Sequence, residues 1–376
     1  MLSIAAGLTP PLRAETNAFN WTHQETRTGV DLSWGRSRAT SSTTNSGGVF
    51  VSHAASFGPL RYRLRADHDF GSGDTDLRIN ELYFTLPLPT DSDVEILVGK
   101  KLLSWGKSVF FKPINFFGSE LDKLTFSDRT RRLEGTPLIE LNVYTDTGRV
   151  SFVYGNDTGS PSDGFNQGIE QIALSYSFEL AAVDAAVVAR HIFSNDTFAA
   201  DVQEVGLTFD ALVSDSLTLN GSIHASSAIR RPDKLLALTT AGKANDHWVA
   251  KMSLGAIWSP RFMTGGSITL EYFYDQSGLN PKEWSSTPFV LTATPTTRQK
   301  YLYVGVIAPK GDWTTSLNVL YGIEDNSSRV FLEAGYSFNH DMELVLGTTK
   351  YFGSPTSEFG RSPEKLELSA LFYRQF

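Results

Sequence analysis

The chain has 376 residues, a formal net charge of -8 and 41% hydrophobic residues. The acidic balance argues against a nucleic-acid partner, and the absence of cysteine excludes a disulfide scaffold, a thiolate metal site and a cysteine nucleophile. No run reaches the roughly 18 to 20 apolar residues of a membrane helix; the nearest, Leu180 to Val188, is broken by Asp184.

Residues 1–28 read as a polar N-terminal segment or the remnant of a signal peptide, with Ala14 near a cleavage point. Period-two alternation begins at Gly29 and runs to Ser37 through Val30, Leu32 and Trp34. After a Ser/Thr/Asn/Gly-rich separator, Ser37 to Gly48, it returns over Val49 to Ser56. The tight turn Phe57-Gly58-Pro59 leads into Leu60 to His68, where Leu60, Tyr62, Leu64 and Ala66 share one face. Arg61, Arg63, Arg65 and Asp67 share the other. Leu77 to Leu88 and Val94 to Leu103 follow, then a long connection, 104–135. Leu138 to Tyr144 and Val150 to Tyr154 form a hairpin about Thr147-Gly148. Further strands are expected over Gly168 to Phe178, Val183 to Ile192, Glu204 to Leu212, Leu217 to Ser226, His247 to Ser259 and Ser267 to Asp275. Lys300 to Ala308, Trp313 to Tyr321, Arg329 to Phe338, Met342 to Tyr351 and Glu364 to Phe376 complete the chain.

That makes about eighteen strands, with sixteen as the alternative, each near the roughly 9 to 11 residues of a tilted membrane strand. Short separators alternate with long ones, as in barrels that put tight turns on one side of a membrane and long loops on the other. A soluble sandwich has no reason to sort its connections so. The fold expected is therefore all-β: one transmembrane antiparallel barrel over 29–376, with a long third loop at 104–135. Aromatics near strand ends, among them Tyr83, Tyr144, Trp258, Trp313, Tyr336, Tyr351 and Phe372, match interfacial girdles. The opposite faces are small or polar, as in Ala173, Ser175, Ser177 and in Thr218, Asn220, Ser222, His224, which suits a wet lumen.

Two stretches carry a resemblance. The last strand, with Leu366, Leu368, Ala370, Phe372 and terminal Phe376, resembles the C-terminal strand of bacterial outer-membrane proteins. That likeness implies Phe372 and Phe376 as a signal to the barrel-assembly machinery; Arg374 departs from the pattern. The Asn80 to Asn115 region resembles a segment of porin-like barrels related to alginate-export channels. It carries Glu81, Tyr83, Gly99, Lys100, Trp105, Gly106, Lys107, Pro113 and Asn115. This resemblance implies eighteen strands and envelope transport.

In general porins of similar layout the third long loop folds inward and narrows the pore. Here it would bring Trp105, Lys107, Glu120, Asp122, Asp128, Arg129, Arg131 and Arg132 to a constriction. Arg61, Arg63, Arg65, Glu81, Glu95, Lys101, Arg190, Glu271 and Glu333 are the expected pore lining, the three arginines suggesting anion attraction. The function expected is an outer-membrane channel for passive or facilitated diffusion of small polar or anionic solutes. Membrane lipids would surround it, and association as a homotrimer or within an envelope complex is open. Alternatives are a non-conducting scaffold or sheath, and an outer-membrane hydrolase using His68 or His191. No nucleotide loop, nucleophile elbow, cofactor motif or metal-ligand spacing stands out, so an enzyme is not expected.

Overall fold

The computed structural model describes residues 21–37, 43–89, 93–114, 135–157, 169–193, 201–227, 248–278, 298–339, 341–362 and 364–376. Within them the chain forms eighteen strands. The first nine are β1 (Trp21–Ser37), β2 (Thr43–Phe57), β3 (Leu60–Asp69), β4 (Thr75–Pro87), β5 (Val94–Lys101), β6 (Thr136–Thr145), β7 (Gly148–Asp157), β8 (Ile169–Leu180) and β9 (Val183–Ile192). The second nine are β10 (Val202–Ser214), β11 (Leu217–Ser226), β12 (Val249–Trp258), β13 (Ser267–Asp275), β14 (Lys300–Lys310), β15 (Trp313–Gly322), β16 (Ser327–Asn339), β17 (Met342–Phe352) and β18 (Glu364–Gln375). Each pairs antiparallel with its sequence neighbours, and β1 pairs with β18, so the sheet closes on itself. Closure removes both sheet edges and satisfies every strand from two sides.

Cross-strand register fixes two faces. One row after another of the outer face is large and apolar: Leu82 beside Tyr62, Val304 beside Leu270, Leu346 beside Ala370. Leu254, Leu207, Ile223, Val187 and Leu332 on this face are among its exposed side chains. The inner face carries the charges. Arg63 lies opposite Glu81, Arg190 opposite Glu204, Lys251 opposite Asp275.

Three departures from the sequence expectation have physical causes. Residues 21–28, expected in the polar N-terminal segment, belong to β1. The run Thr22 to Thr28 has no apolar residue to reveal a period of two, yet its backbone must close the barrel, and Thr26 exchanges N–H···O bonds with Phe376 at 2.8 and 3.3 Å. Residues 43–48, read as separator, likewise extend β2. The third departure is a bulge at Asn80: Arg63 pairs with Glu81 but Leu64 with Ile79, so β4 changes parity between Ile79 and Leu82. Leu77 and Ile79 point outward before it, Leu82, Phe84 and Leu86 after it. Tyr83 consequently faces inward, not toward the girdle. Tyr144 and Tyr351 are also inward, bonded through their hydroxyls to Glu95 and Glu367.

The connection after β5 turns into the barrel. Leu102 N–H donates to Glu81 on β4, and nine residues later the Phe111 ring stacks on Phe273 of β13. Nine strand spacings of about 4.8 Å would need about 43 Å along the wall, whereas nine residues reach at most about 32 Å. The segment therefore cuts a chord across the concave side.

Candidate functional site

Residues 102–114 form the centre of the site, and each wall contact has a sequence cause. Leu103, Trp105 and Ile114 pack on the inner positions of β5 to β9, where Leu97, Leu138, Val153, Ala173 and Val188 replace the polar residues found elsewhere on that face. Lys107 N–H then donates to Thr208 on β10 at 2.9 Å, and its ammonium pairs with Asp184 on β9. The Ser108 hydroxyl sits between Ser222 and Ser253, small side chains that leave room for the backbone to come close. At the tip, the Glu271 carboxylate accepts from three consecutive N–H groups: Val109 at 3.1 Å, Phe110 at 2.8 Å and Phe111 at 2.8 Å. Converging backbone donors of this kind bind anions, and here the anion is a wall side chain. Phe110 stacks on Tyr303 at 4.3 Å and Phe111 on Phe273 at 4.1 Å, inside a buried aromatic cluster with Tyr301, Leu320, Phe331 and Phe359. Each stack contributes about 0.5–1.5 kcal/mol beyond its burial. The chain then doubles back, bringing Lys112 against Gly106 and Ile114 against Gly206 of β10.

Among the expected lining residues the structure separates exposed from enclosed. Arg61 remains exposed on the inner face. The Arg63 side chain keeps 41% exposure, 3.6 Å from Glu81. Arg65, expected beside them on the water-facing surface, is 2% exposed. Its guanidinium forks onto Asp67 at 2.7 to 2.9 Å and lies 4.2 Å over the Phe50 ring. Glu271 is wholly enclosed by the segment it holds, so it faces backbone, not water. Arg190 donates to Glu204 and to Gln171 at 3.0 Å in a buried group. Lys101 reaches Glu140 at 2.8 Å. Glu95 accepts from Asn142 at 3.2 Å and Tyr144 at 3.1 Å, and Glu333 is half-buried opposite Ser316 and Gly347. Glu81, besides Arg63, accepts from Leu102 N–H at 3.2 Å.

Of the constriction residues, Trp105 is buried in the wall cluster and Lys107 is held on the wall. Glu120, Asp122, Asp128, Arg129, Arg131 and Arg132 lie outside the described residues. Phe372 points outward, and Phe376 extends the closure beside β1 with the Arg374 guanidinium 4.6 Å over its ring. His68 bonds Thr75 at 2.9 Å and His191 lies 3.4 Å from Asp201.

The inner apolar positions were not foreseen from alternation. Their signal is a run apolar on both faces, Tyr272-Phe273-Tyr274 and Tyr301-Leu302-Tyr303-Val304, the pattern of a strand covered on both sides. Also unforeseen is the connection after β17, which folds onto this cluster through Phe359.

No family model matches the sequence, and no curated protein matches it. Solved structures do. The chain is similar to OccD3 of Pseudomonas aeruginosa at 11% identity, over 95% of this chain and 93% of that one, with a TM-score of 0.51. It is similar to OccAB3 of Acinetobacter baumannii at 11% identity, over 94% and 98%, with a TM-score of 0.54. A mutant of the Rhodopseudomonas blastica porin aligns at 10% identity, over 94% and 99%, with a TM-score of 0.50. At such identities the likeness is one of fold: the chain is a closed eighteen-stranded antiparallel barrel that shares the fold of these structures.

Proposed function

We propose that the chain is an outer-membrane channel for passive or facilitated diffusion of small polar or anionic solutes, narrowed by the 104–135 connection. The observation that carries this reading is the segment 102–114, pinned across the barrel interior by Glu271 and two aromatic stacks. It leaves exposed basic side chains, Arg61 and Arg63, on the inner face of β3. A wall-bound segment reduces the bore, and exposed guanidinium groups in a confined aqueous lumen attract anions. The apolar outer face supports residence among acyl chains. The likeness of residues 80–115 to alginate-export-type barrels supports envelope transport and leaves the solute open. The porin-fold neighbours support a channel over an enzyme.

A second reading is a filled, non-conducting sheath, favoured by one observation: Glu140, Arg190 and Glu204 are at most 5% exposed, so much of the inner charge is packed and not hydrated. Reversal potentials under a salt gradient test the channel. Anion preference should fall when Arg61 and Arg63 are both replaced by Gln; unchanged selectivity contradicts the role given to them.

A further inference from the structure

We infer that the connection between β17 and β18 is a second inward element, and that its Glu358 and Phe359 are positioning residues for the tip of the 104–114 segment. Two independent contacts carry this. Phe359 is 5% exposed within the same buried cluster as Phe110 and Phe111. Glu358 accepts the Tyr301 hydroxyl at 2.7 and 2.9 Å, and the Tyr301 ring lies 6.0 Å from Phe111. A physical chain therefore runs Glu358–Tyr301–Phe111, with Phe359 as the packed face behind it.

The connection is built to hold that position. Glu358 N–H donates to Asp325 at 2.7 Å and Phe359 N–H to the Ser327 hydroxyl at 3.3 Å, tying it to the turn between β15 and β16. Asp325 is itself fixed by Ser327 N–H at 3.1 Å and its hydroxyl at 2.7 Å. The backbone enters at Gly353, whose φ of +142° belongs to glycine. At Gly360 a Cβ would run into the Ser354 carbonyl. A floppy surface loop has no need of such constraints.

Held thus, the tip of the segment has two anchors of different chemistry: the carboxylate of Glu271 from β13, and an aromatic prop from the last connection. The consequence for pore width, that two connections set it and not one, rests on the channel reading; the placement does not.

The test uses the absence of cysteine. Ser108→Cys places one thiol under the segment, where Ser108 is 1% exposed, and Val109→Cys places one on its open side, at 37%. Refolded barrels in detergent, checked by heat-modified gel migration, are labelled with a hydrophilic maleimide. Val109→Cys should react fast in every background. Ser108→Cys should react slowly, and Phe359→Ala should speed it about tenfold, equivalent to about 1.4 kcal/mol of lost closure. Phe359→Leu should restore the slow rate, and Glu358→Ala should raise it a fewfold. Ser108→Cys labelling that is equally slow with Phe359 intact and in the Phe359→Ala background overturns the inference. Should Phe359→Ala not fold, Glu358→Ala against Phe359→Leu decides it in the same way. Faster labelling in barrels that never conduct would sustain this inference and sink the channel reading.

Discussion

The Glu271 carboxylate accepts the backbone N–H of Phe111 at 2.8 Å although 160 positions separate the two residues. With Val109 and Phe110 adding their own N–H groups, one buried wall side chain satisfies the tip of an inward segment that otherwise has no ladder to join. Glu271→Gln removes the charge and turns one acceptor into a donor facing a donor. Loss of about 1–3 kcal/mol at this anchor is the expected cost. Single-channel recordings should show a larger, noisier conductance from a barrel that still folds; a conductance equal to the parent's would remove Glu271 from this role.

Arg61 and Arg65 lie on one face of β3 but differ in kind. Arg65 is enclosed, forked onto Asp67 and stacked on Phe50, whereas Arg61 is exposed. Arg65→Gln takes the guanidinium fork away from Asp67 and the cation from over the Phe50 ring, and should cost about 3 kcal/mol in denaturant unfolding. Arg61→Gln should leave stability within about 0.5 kcal/mol and lower anion preference instead. Equal stability losses would mean that the inner face is packed at both positions.

The bulge at Asn80 sets which side chains of β4 point out of the barrel. Deleting Asn80 removes the extra residue and carries Leu82, Phe84 and Leu86 toward the interior unless the strand slips in register. Refolding yield scored by heat-modified migration should collapse, while Asn80→Ala keeps the parity and folds. A well-folded deletion variant would show that β4 tolerates either register.

Leu254 sits at the middle of the outer face of β12, 59% exposed. Leu254→Arg should destabilise the barrel in lipid vesicles by about 2–4 kcal/mol. Thr314→Arg, on the inner face near a short turn, should cost less than about 1 kcal/mol. The two substitutions read the faces directly, and a reversed order would turn the barrel inside out.

Alternation made much of this legible in the sequence. Val183–Ile192, Leu217–Ser226 and Ser267–Asp275 occupy the ranges expected of them, because each is a period-two run bounded by turn residues. The assignment of Arg190 and Glu271 to the inner face follows from the same parity. What parity does not contain is cover. Glu271 stands between Leu270 and Tyr272 and reads as any lumen carboxylate; only the arrival of residues 109–111 from far along the chain encloses it. The same holds for Phe273, Tyr301 and Phe331, inner residues whose bulk is explained by what lies on them. Thr22 to Thr28 are hidden for the opposite reason: a stretch polar at every position has no alternation to see.

The most direct measurement is the current through purified, heat-modifiable barrels in a planar lipid bilayer. Discrete conductance steps that enlarge in the Glu271→Gln variant are the predicted result. Folded barrels that insert and pass no current, in the parent and the variant alike, would contradict an open passage narrowed by residues 102–114.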